Sequence, residues 1–530
     1  MGQEPKDRRP ARPVRWRLLV WPAGALLVLA AAGLVWVWST ESAQRQDHVV
    51  PTIVITGLTV ILLSVWSVTW LLFLSRFSGP VRWLTLAAAL VVIVLVGLTL
   101  EIRGVSGDMV PILGWRRSAL EFPAETDSVP VGRGSTASAF DYPQYQGPLR
   151  DGSVPGIRLS RDWSVLPREL WRQRVGPGWS GFAIAGNHAV TQEQHGADEV
   201  VSSYELKTGK LAWVHSDPTR WEDPIAGPGP RATPSIHDAR VYALGGTGIL
   251  NAIDLATGAF LWSRNVLGDS GASAPDYGVS ASPLVLDGRV VIGAGGKTGR
   301  ALIAYDSTTG DQLWAGGSGS PAYGSPRFAV LAGAPQILIL NGEAVAAHDP
   351  HDGRVLWEFP WPGETERAFQ PLVLPGDRVF VSTGYGVGGK LLHVQRDARE
   401  QLVVEMLWES RSLKAKFTNV VFAGGFLYGL DDGILVCLDA ETGERRWKRG
   451  RYGHGQILLV GDLLLVLGED GTVALVEASP EAYREVSRFL ALEGKTWNPP
   501  ALAGPYLLVR NDHEAACYEL PLALPEDEDP

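Results

Sequence analysis

DLATGAFLW (254–262) is one of five stretches with the same spacing; the others are ELKTGKLAW (205–213), DSTTGDQLW (306–314), DPHDGRVLW (349–357) and DAETGERRW (439–447). In each stretch an acidic residue stands eight positions before a Trp, and a Gly stands four positions before it. The acidic side chain can cap a tight turn, and Gly can adopt the positive φ that such a turn requires. The pattern predicts a turn between two strands, with the Trp on the second strand.

The Trp residues recur about every 40–50 residues, a spacing typical of propeller blades. A sixth stretch, EQLVVEMLW (400–408), keeps Glu400 and Trp408 but lacks the Gly. Two alternating apolar runs precede each turn, as in SPLVLDGRVVIGAGG (282–296), so each unit should contain about four short antiparallel strands. No Trp-Asp dipeptide closes these units, which argues against a WD40 repeat.

The count of units predicts an all-β fold, an eight-bladed β-propeller of four-stranded antiparallel blades over residues 166–520. Seven blades begin near 178, 231, 280, 323, 368, 417 and 454, and the seventh has Phe489 where the Trp is expected. The eighth begins at Trp497 and ends after three strands. ELWRQRV (169–175) is expected to supply its outer strand, which would close the ring and remove exposed edges. The repeated Trp are expected to dock each blade against its neighbour: Trp171, Trp213, Trp262, Trp314, Trp357, Trp408 and Trp447.

The repeated turn in an eight-fold ring resembles the pyrroloquinoline quinone (PQQ) repeat of quinoprotein alcohol dehydrogenases and of BamB-like outer-membrane assembly proteins. YPQYQGPLRDG (142–152) and GPGPRATPS (227–235) are similar to segments of bacterial PQQ-binding-like propeller proteins. The resemblance covers about 140–520. It implies the propeller fold, but it decides little about activity, because the repeat is a structural device.

Three uncharged segments precede the propeller, at 18–38, 49–75 and 83–100. Each is long enough to cross a bilayer as a helix, and they predict a three-helix membrane anchor over 18–100. A cleaved signal peptide is the alternative for the first segment. Residues 1–17 carry six basic side chains, whereas the 39–48 loop has only Arg45, so the N-terminus is expected in the cytoplasm and the propeller in the bacterial periplasm.

The segments on either side of the propeller are expected to be irregular. Residues 101–165 have no sustained period and are expected to form a linker, and 521–530 should be an acidic solvated tail. A net charge of −10 argues against a nucleic-acid partner.

Catalytic chemistry finds little support in the sequence. The resemblance implies that an alcohol-oxidising member would use an Asp base, a calcium ion and often a vicinal disulfide, yet the only Cys are Cys437 and Cys517, which are expected to be free thiols. We assign no catalytic residue and no metal ligand, and we expect no resident cofactor. His348 and His351 are expected to be surface residues, and GGKTG (295–299) joins two strands where a phosphate loop would open a helix.

A possible binding site lies where the inner strands begin. Aligning the blades on the Pro that starts each inner strand places one residue per blade at the mouth of the central channel. In blade order this column reads Trp179, Arg231, Ser280, Tyr323, Ala368, Phe417, His454 and Trp497. Aromatic rings with Arg and His can hold a planar, sugar-like or peptide ligand, and Arg231 is expected to favour an anionic group. The alternative is that bulky residues merely plug the funnel.

We therefore expect a membrane-anchored, non-enzymatic propeller that binds a protein, peptide or glycan partner. The alternative is a PQQ- and calcium-dependent dehydrogenase that passes electrons to membrane quinone. A sensor domain ranks last, because no cytoplasmic signalling domain is present.

Overall fold

The computed structural model describes residues 58–59, 62–69, 78–107, 111–115, 140–296, 299–363 and 366–523. The chain divides into two compact units, Met1–Ala119 and Leu120–Pro530, which are described separately below.

The first unit contains a helix and a hairpin. Helix α1 spans Gly79–Thr99, and residues 58–59 and 62–69 are also helical. Strand β1 (Leu100–Val105) pairs antiparallel with β2 (Pro111–Trp115). The hairpin was not expected, since these residues were taken as part of an irregular linker.

The three predicted membrane spans find no support in the described residues. Segment 18–38 lies outside them, 49–75 is described only at 58–59 and 62–69, and 83–100 is covered mostly by α1. Among the helices that are described, none has both the length and the apolarity needed to cross a bilayer.

The second unit is the expected propeller, with eight antiparallel sheets of four strands each. Blade 1 contains β4 (Ala183–Ala185), β5 (His188–His195), β6 (Asp198–Glu205) and β7 (Leu211–Asp217), and blade 2 contains β10 (Ser235–His237), β11 (Arg240–Leu244), β12 (Ile249–Asp254) and β13 (Phe260–Asn265). Blade 3 contains β14 (Leu284–Leu286), β15 (Arg289–Gly293), β16 (Leu302–Asp306) and β17 (Gln312–Gly316), and blade 4 contains β18 (Arg327–Leu331), β19 (Ala334–Leu340), β20 (Ala344–His348) and β21 (Val355–Pro360). Blade 5 contains β22 (Leu372–Leu374), β23 (Arg378–Thr383), β24 (Gly388–Arg396) and β25 (Leu402–Ser410), and blade 6 contains β26 (Val420–Ala423), β27 (Phe426–Asp431), β28 (Ile434–Asp439) and β29 (Arg445–Arg451). Blade 7 contains β30 (Gln456–Val460), β31 (Leu463–Leu467), β32 (Thr472–Glu477) and β33 (Glu485–Leu490), and blade 8 contains β34 (Ala501–Ala503), β35 (Tyr506–Arg510), β36 (Glu514–Glu519) and β3 (Arg168–Arg174). The short strands β8 (Glu222–Asp223) and β9 (Gly227–Pro228) and helix α2 (Val266–Ser270) lie in the connections between blades.

The ring is closed by the strand that the sequence predicted. Strand β3 pairs antiparallel with β36, from Arg168 opposite Glu519 to Arg174 opposite Glu514, with a bulge at Leu170. Blade 8 therefore joins chain from before blade 1 to chain from after blade 7.

The Trp of one blade packs on the turn of the next. A Cβ added to Gly310 in the blade 3 turn would stand 2.6 Å from the ring of Trp262 in blade 2. Gly310 has φ +75°, so it is needed both for the turn and for the close approach of the ring. The indole N–H of Trp262 donates to the carbonyl of Ser307 in the same turn, at 3.2 Å. The same pair of contacts links Trp171 to Gly209, Trp213 to Gly258, Trp314 to Gly353 and Trp408 to Gly443.

The junction between blades 4 and 5 departs from this arrangement. The blade 5 turn has no Gly, and the indole N–H of Trp357 donates instead to Oε1 of Gln336 in its own blade, at 2.7 Å. The acid that caps this turn is Asp397, which accepts from the backbone N–H groups of Arg399 and Gln401. The expected cap, Glu400, instead occupies the left-handed position at φ +60°. The sequence alignment was wrong here because strands β24 and β25 are longer than their counterparts.

Blade 7 also required a correction. In each regular blade the Trp directly follows a β-bulge, and in blade 7 the bulge at Val486 places Ser487 in that position. Phe489 lies two residues further along and packs edge-on against Tyr518 of blade 8, with ring centroids 4.9 Å apart. Trp163, from the segment before the ring, packs edge-on against Phe489 at 5.6 Å and supplies the indole at this junction.

Residues 140–159, called here the plug segment, cross the channel beyond the mouth. Tyr142 bridges to Ile184 of blade 1, and the Pro143 carbonyl accepts from Ile236 of blade 2. The Arg150 guanidinium donates to the carbonyls of Ser282 and Pro283 in blade 3. The segment then reaches the later blades through Arg327, Gln370, Asn419 and Leu459. The sequence predicts a linker over residues 101–165. The plug segment within that range is instead a buried component of the domain and closes one end of the channel.

We predict that Trp262→Ala will lower the free energy of unfolding by about 3–5 kcal/mol, because it opens a void between two blades. Chemical denaturation of the full-length protein measures this loss. Leu261→Ala, at the exposed neighbouring position, is the control and should change the unfolding free energy little. A loss below about 1 kcal/mol in Trp262→Ala would show that the indole does not stabilise the junction.

We also predict that Leu170→Asp will lower the melting temperature of the entire ring in a single transition. Leu170 is partly buried and packs against the core of blades 7, 8 and 1, so a carboxylate there would weaken the strand that closes the ring. Leu166→Asp, at a site 61% exposed, is the matched control. An unchanged melting temperature in Leu170→Asp would mean that stability does not depend on the closing strand.

Candidate binding site at the channel mouth

Four residues of the predicted column form a continuous aromatic row, called here the mouth cluster: Trp179, Trp497, Phe417 and His454. The Trp497 ring lies 5.0 Å from the Trp179 ring and 5.0 Å from the Phe417 ring, measured between centroids. The His454 ring continues the row at 5.4 Å from Phe417. The row joins blades 6, 7, 8 and 1, because each residue directly precedes an inner strand.

A lysine that the sequence analysis missed completes this cluster. The Lys495 ammonium lies 4.1 Å from the centroid of the Trp497 ring and 4.8 Å from that of the Trp179 ring. Both distances suit a cation–π interaction. Burial lowers the pKa of Lys495, although the carboxylates of Asp512, Glu469 and Asp223 oppose this effect.

Hydrogen bonds hold the rings in place. Glu469, in the β31–β32 loop, accepts from the indole N–H of Trp497 at 2.8 Å and from the backbone N–H of His454 at 3.0 Å. The indole N–H of Trp179 donates to the Ala226 carbonyl at 2.7 Å. The rings are therefore fixed before any ligand arrives, which lowers the entropic cost of binding.

Beneath the rings lies a buried amide with an unused acceptor. Nε2 of Gln456 donates to the carbonyls of Phe417 and Trp497, at 3.1 and 3.4 Å, while its Oε1 has no hydrogen-bond partner. The amide thus ties Phe417 to Trp497 from inside the domain, where its Oε1 is closed off from solvent.

Arg231 takes a structural part at the mouth. Its guanidinium forms a buried ion pair with Asp223 and donates to the carbonyls of Gly227 and Gly229. These contacts hold the β8–β9 connection on the ring. The guanidinium is thus committed to the protein, which argues against the expected role in binding an anion.

The remaining column residues lie apart from the row. Tyr323 contacts Tyr277 edge-on, with ring centroids 5.7 Å apart, and its hydroxyl accepts from the Tyr277 backbone N–H at 3.4 Å. The Ser280 hydroxyl has no hydrogen-bond partner. No ring contact joins Tyr323 to the mouth cluster among the described residues, so the column contributes to two separate regions of one face.

The histidine expectation was wrong for His348. This side chain is fully buried, and Nδ1 lies 3.0 Å from the Gly353 carbonyl. The imidazole fills the space beneath Gly317, and burial lowers the pKa of His348. His351 is exposed, as expected.

The family can be identified from the blades. A model of the PQQ repeat type, described as "Outer membrane protein assembly factor BamB", matches residues 167–276 and 272–449, which together are more than half of the chain. The chain belongs to this family. The family match covers the ring from the closing strand to blade 6.

Individual relatives point in two directions. The quinohemoprotein alcohol dehydrogenase ADH-IIG of Pseudomonas putida is 31% identical over 221 residues, which are 39% of this chain and 29% of the relative. The outer membrane protein assembly factor BamB of Shewanella oneidensis is 26% identical over 240 residues, or 41% of this chain and 58% of the relative. The chain thus spans less than two thirds of either relative.

A europium-containing methanol dehydrogenase shares the propeller architecture. The two structures align with a TM-score of 0.54 and 14% identity, over 70% of this chain and 90% of the dehydrogenase. At this identity the likeness establishes the fold alone.

Two features of the described residues bear on metal-bound quinone chemistry. No group of three or more His, Cys, Asp or Glu side chains in the described part of the chain is arranged to hold a metal ion. Both cysteines are buried free thiols in different sheets, as expected, and burial raises the pKa of each thiol to about 12. They cannot form the vicinal disulfide of some quinoproteins, and no reaction step is assigned through a quinone.

Proposed function

We propose that this protein is a non-enzymatic binding propeller that holds a polypeptide segment of a partner protein at the mouth cluster. The observation that carries the proposal is the row of Trp179, Trp497, Phe417 and His454, with Lys495 over two of its rings. Tryptophan dominates the binding energy of many protein interfaces, because its large ring buries much apolar area and keeps an N–H donor.

The position of the mouth supports this proposal. The plug segment closes the opposite end of the channel through buried contacts such as those of Tyr142 and Arg150. A partner therefore approaches from the mouth side only.

The comparison with BamB favours a polypeptide over a glycan. The relative from Shewanella oneidensis carries the name of an outer membrane protein assembly factor, which implies contact with other proteins. The mouth is also weakly suited to catalysis, since Arg231 is committed to Asp223 and Glu469 to Trp497 and His454.

We predict that changing Trp179 and Trp497 together to Ala will weaken partner capture by at least about tenfold. A photo-crosslinking residue at position 417, which is partly exposed in the mouth cluster, should label one polypeptide when the full-length protein is expressed in its native host. The double variant should lose that product, while a Phe260→Ala variant on an outer strand should retain it. Equal labelling in a double variant that keeps its melting temperature would place the partner elsewhere.

The quinoprotein function is retained as the second candidate because of the 31% identity to an alcohol dehydrogenase. The purified protein is incubated with PQQ and Ca²⁺, and dye-linked oxidation of alcohols and sugars is then measured. Saturable, PQQ-dependent activity would favour the dehydrogenase, whereas a lack of activity agrees with the binding propeller.

The cellular location stays a prediction from the sequence. The basic residues before 18 and the single Arg45 after the first apolar segment favour a membrane-attached protein with its propeller in the periplasm. Such a location would place the mouth among secreted and outer-membrane polypeptides in transit.

A further inference from the structure

A cavity of about 560 Å³ opens on the mouth face beside blades 3, 4 and 5. Four connections form it: the one after α2, the β17–β18 loop, the β19–β20 loop and the β21–β22 loop. Of the mouth column, only Tyr323 lines this cavity. The side chains that matter for its chemistry are Asp276, Tyr323, Glu343, Trp361, Glu366 and Arg367.

Among the described residues, three carboxylates face this space, and one of them is held in a fixed position by hydrogen bonds. Glu343 accepts from the backbone N–H and the hydroxyl of Ser320, both at 2.8 Å. Burial raises the pKa of Tyr277 and of Tyr385, and the negative charge of Glu366 adds to this effect on both tyrosines. Neither Glu343, Glu366 nor Asp276 forms an ion pair within the described residues.

The fourth charged group is a buried arginine without an ionic partner. Arg367 is only 6% exposed, and its hydrogen bonds run from Nη2 to the carbonyls of Trp361 and Gly363. Burial lowers the pKa of Arg367, while Glu343 acts on it from beyond ion-pair distance and opposes this effect. A buried guanidinium that lines a cavity without a carboxylate at its side favours an anionic group of a ligand.

The charges define what would fit between them. The described part of the lining carries three carboxylates and one guanidinium, so the complementary ligand has cationic groups in excess and one carboxylate. The Tyr323 and Trp361 rings provide apolar and π surfaces against which an alkyl or planar cationic group can pack. A free basic amino acid has these features, because it joins an ammonium group, a cationic side chain and a carboxylate within one small molecule.

We propose that this cavity binds a free basic amino acid such as arginine, with its carboxylate on Arg367 and its cationic groups on Asp276, Glu343 and Glu366. The site is separate from the mouth cluster, so the protein would carry a small-molecule site beside its polypeptide site. Because the two sites are separate, binding at one can be tested even if the other proves to bind nothing.

The test is calorimetric titration of the full-length protein with L-arginine, L-lysine and agmatine, which is arginine without its carboxylate. Arginine and lysine should bind saturably, and agmatine should bind at least about tenfold more weakly because it cannot engage Arg367. Asp276→Asn and Glu366→Gln should each weaken arginine binding by about tenfold, as expected for a lost charge-assisted hydrogen bond.

Glu493→Gln, at an exposed carboxylate elsewhere on the mouth face, is the control and should bind arginine as the unchanged protein does. Melting temperatures of all variants establish that the ring is folded. Three results would overturn the proposal: no saturable binding of either amino acid, agmatine binding as tightly as arginine, or full arginine binding in the Asp276→Asn/Glu366→Gln double variant. Agmatine binding would indicate a site for simple organic cations.

Discussion

The contact between a Trp in one blade and a turn in the next is the interaction on which this ring depends. The indole covers a Gly at positive φ, as Trp262 covers Gly310, and donates its N–H to a carbonyl of that turn. Neither blade can form this contact alone. Without the next blade the indole would be exposed, and without the Trp the turn carbonyl would lack its N–H donor. The contact also joins Trp171 of blade 8 to Gly209 of blade 1, so the interaction that stacks the blades also closes the circle.

The two ends of the channel differ because the described part of the chain crosses only one of them. The plug segment satisfies carbonyls and amides of successive inner strands, for example through Arg150 and Tyr142. This removes one opening, and the mouth is the face at which we propose that ligands bind. On that face Lys495 lies over the Trp rings at blades 8 and 1, whereas three carboxylates and Arg367 line the cavity beside blades 3 to 5. One face thus offers two chemically different regions.

The blades were predictable where a local pattern specifies local geometry. An acid, a Gly and a Trp at constant spacing describe a turn and a strand, and the missing eighth outer strand follows from a count of strands. The prediction failed where strand length changed. In blade 5 the longer hairpin makes Asp397 the cap of the turn and places Glu400 in the left-handed position. In blade 7 the bulge puts Ser487, and not Phe489, at the position that a Trp occupies in the regular blades. Trp163, from a distant part of the chain, packs against Phe489 at this junction, and no local sequence pattern indicates that contact.

The sequence by itself determined the repeat, the blade count, the closing strand and four aromatic residues of the mouth, because each follows from spacing along the chain. Only the tertiary structure decided what surrounds them. Lys495 reaches two rings, Arg231 is taken up by Asp223, and Arg367 lines a cavity with three carboxylates. These groups come from connections that have no period, and the partners of a charged side chain in a loop depend on which loops the closed ring brings together.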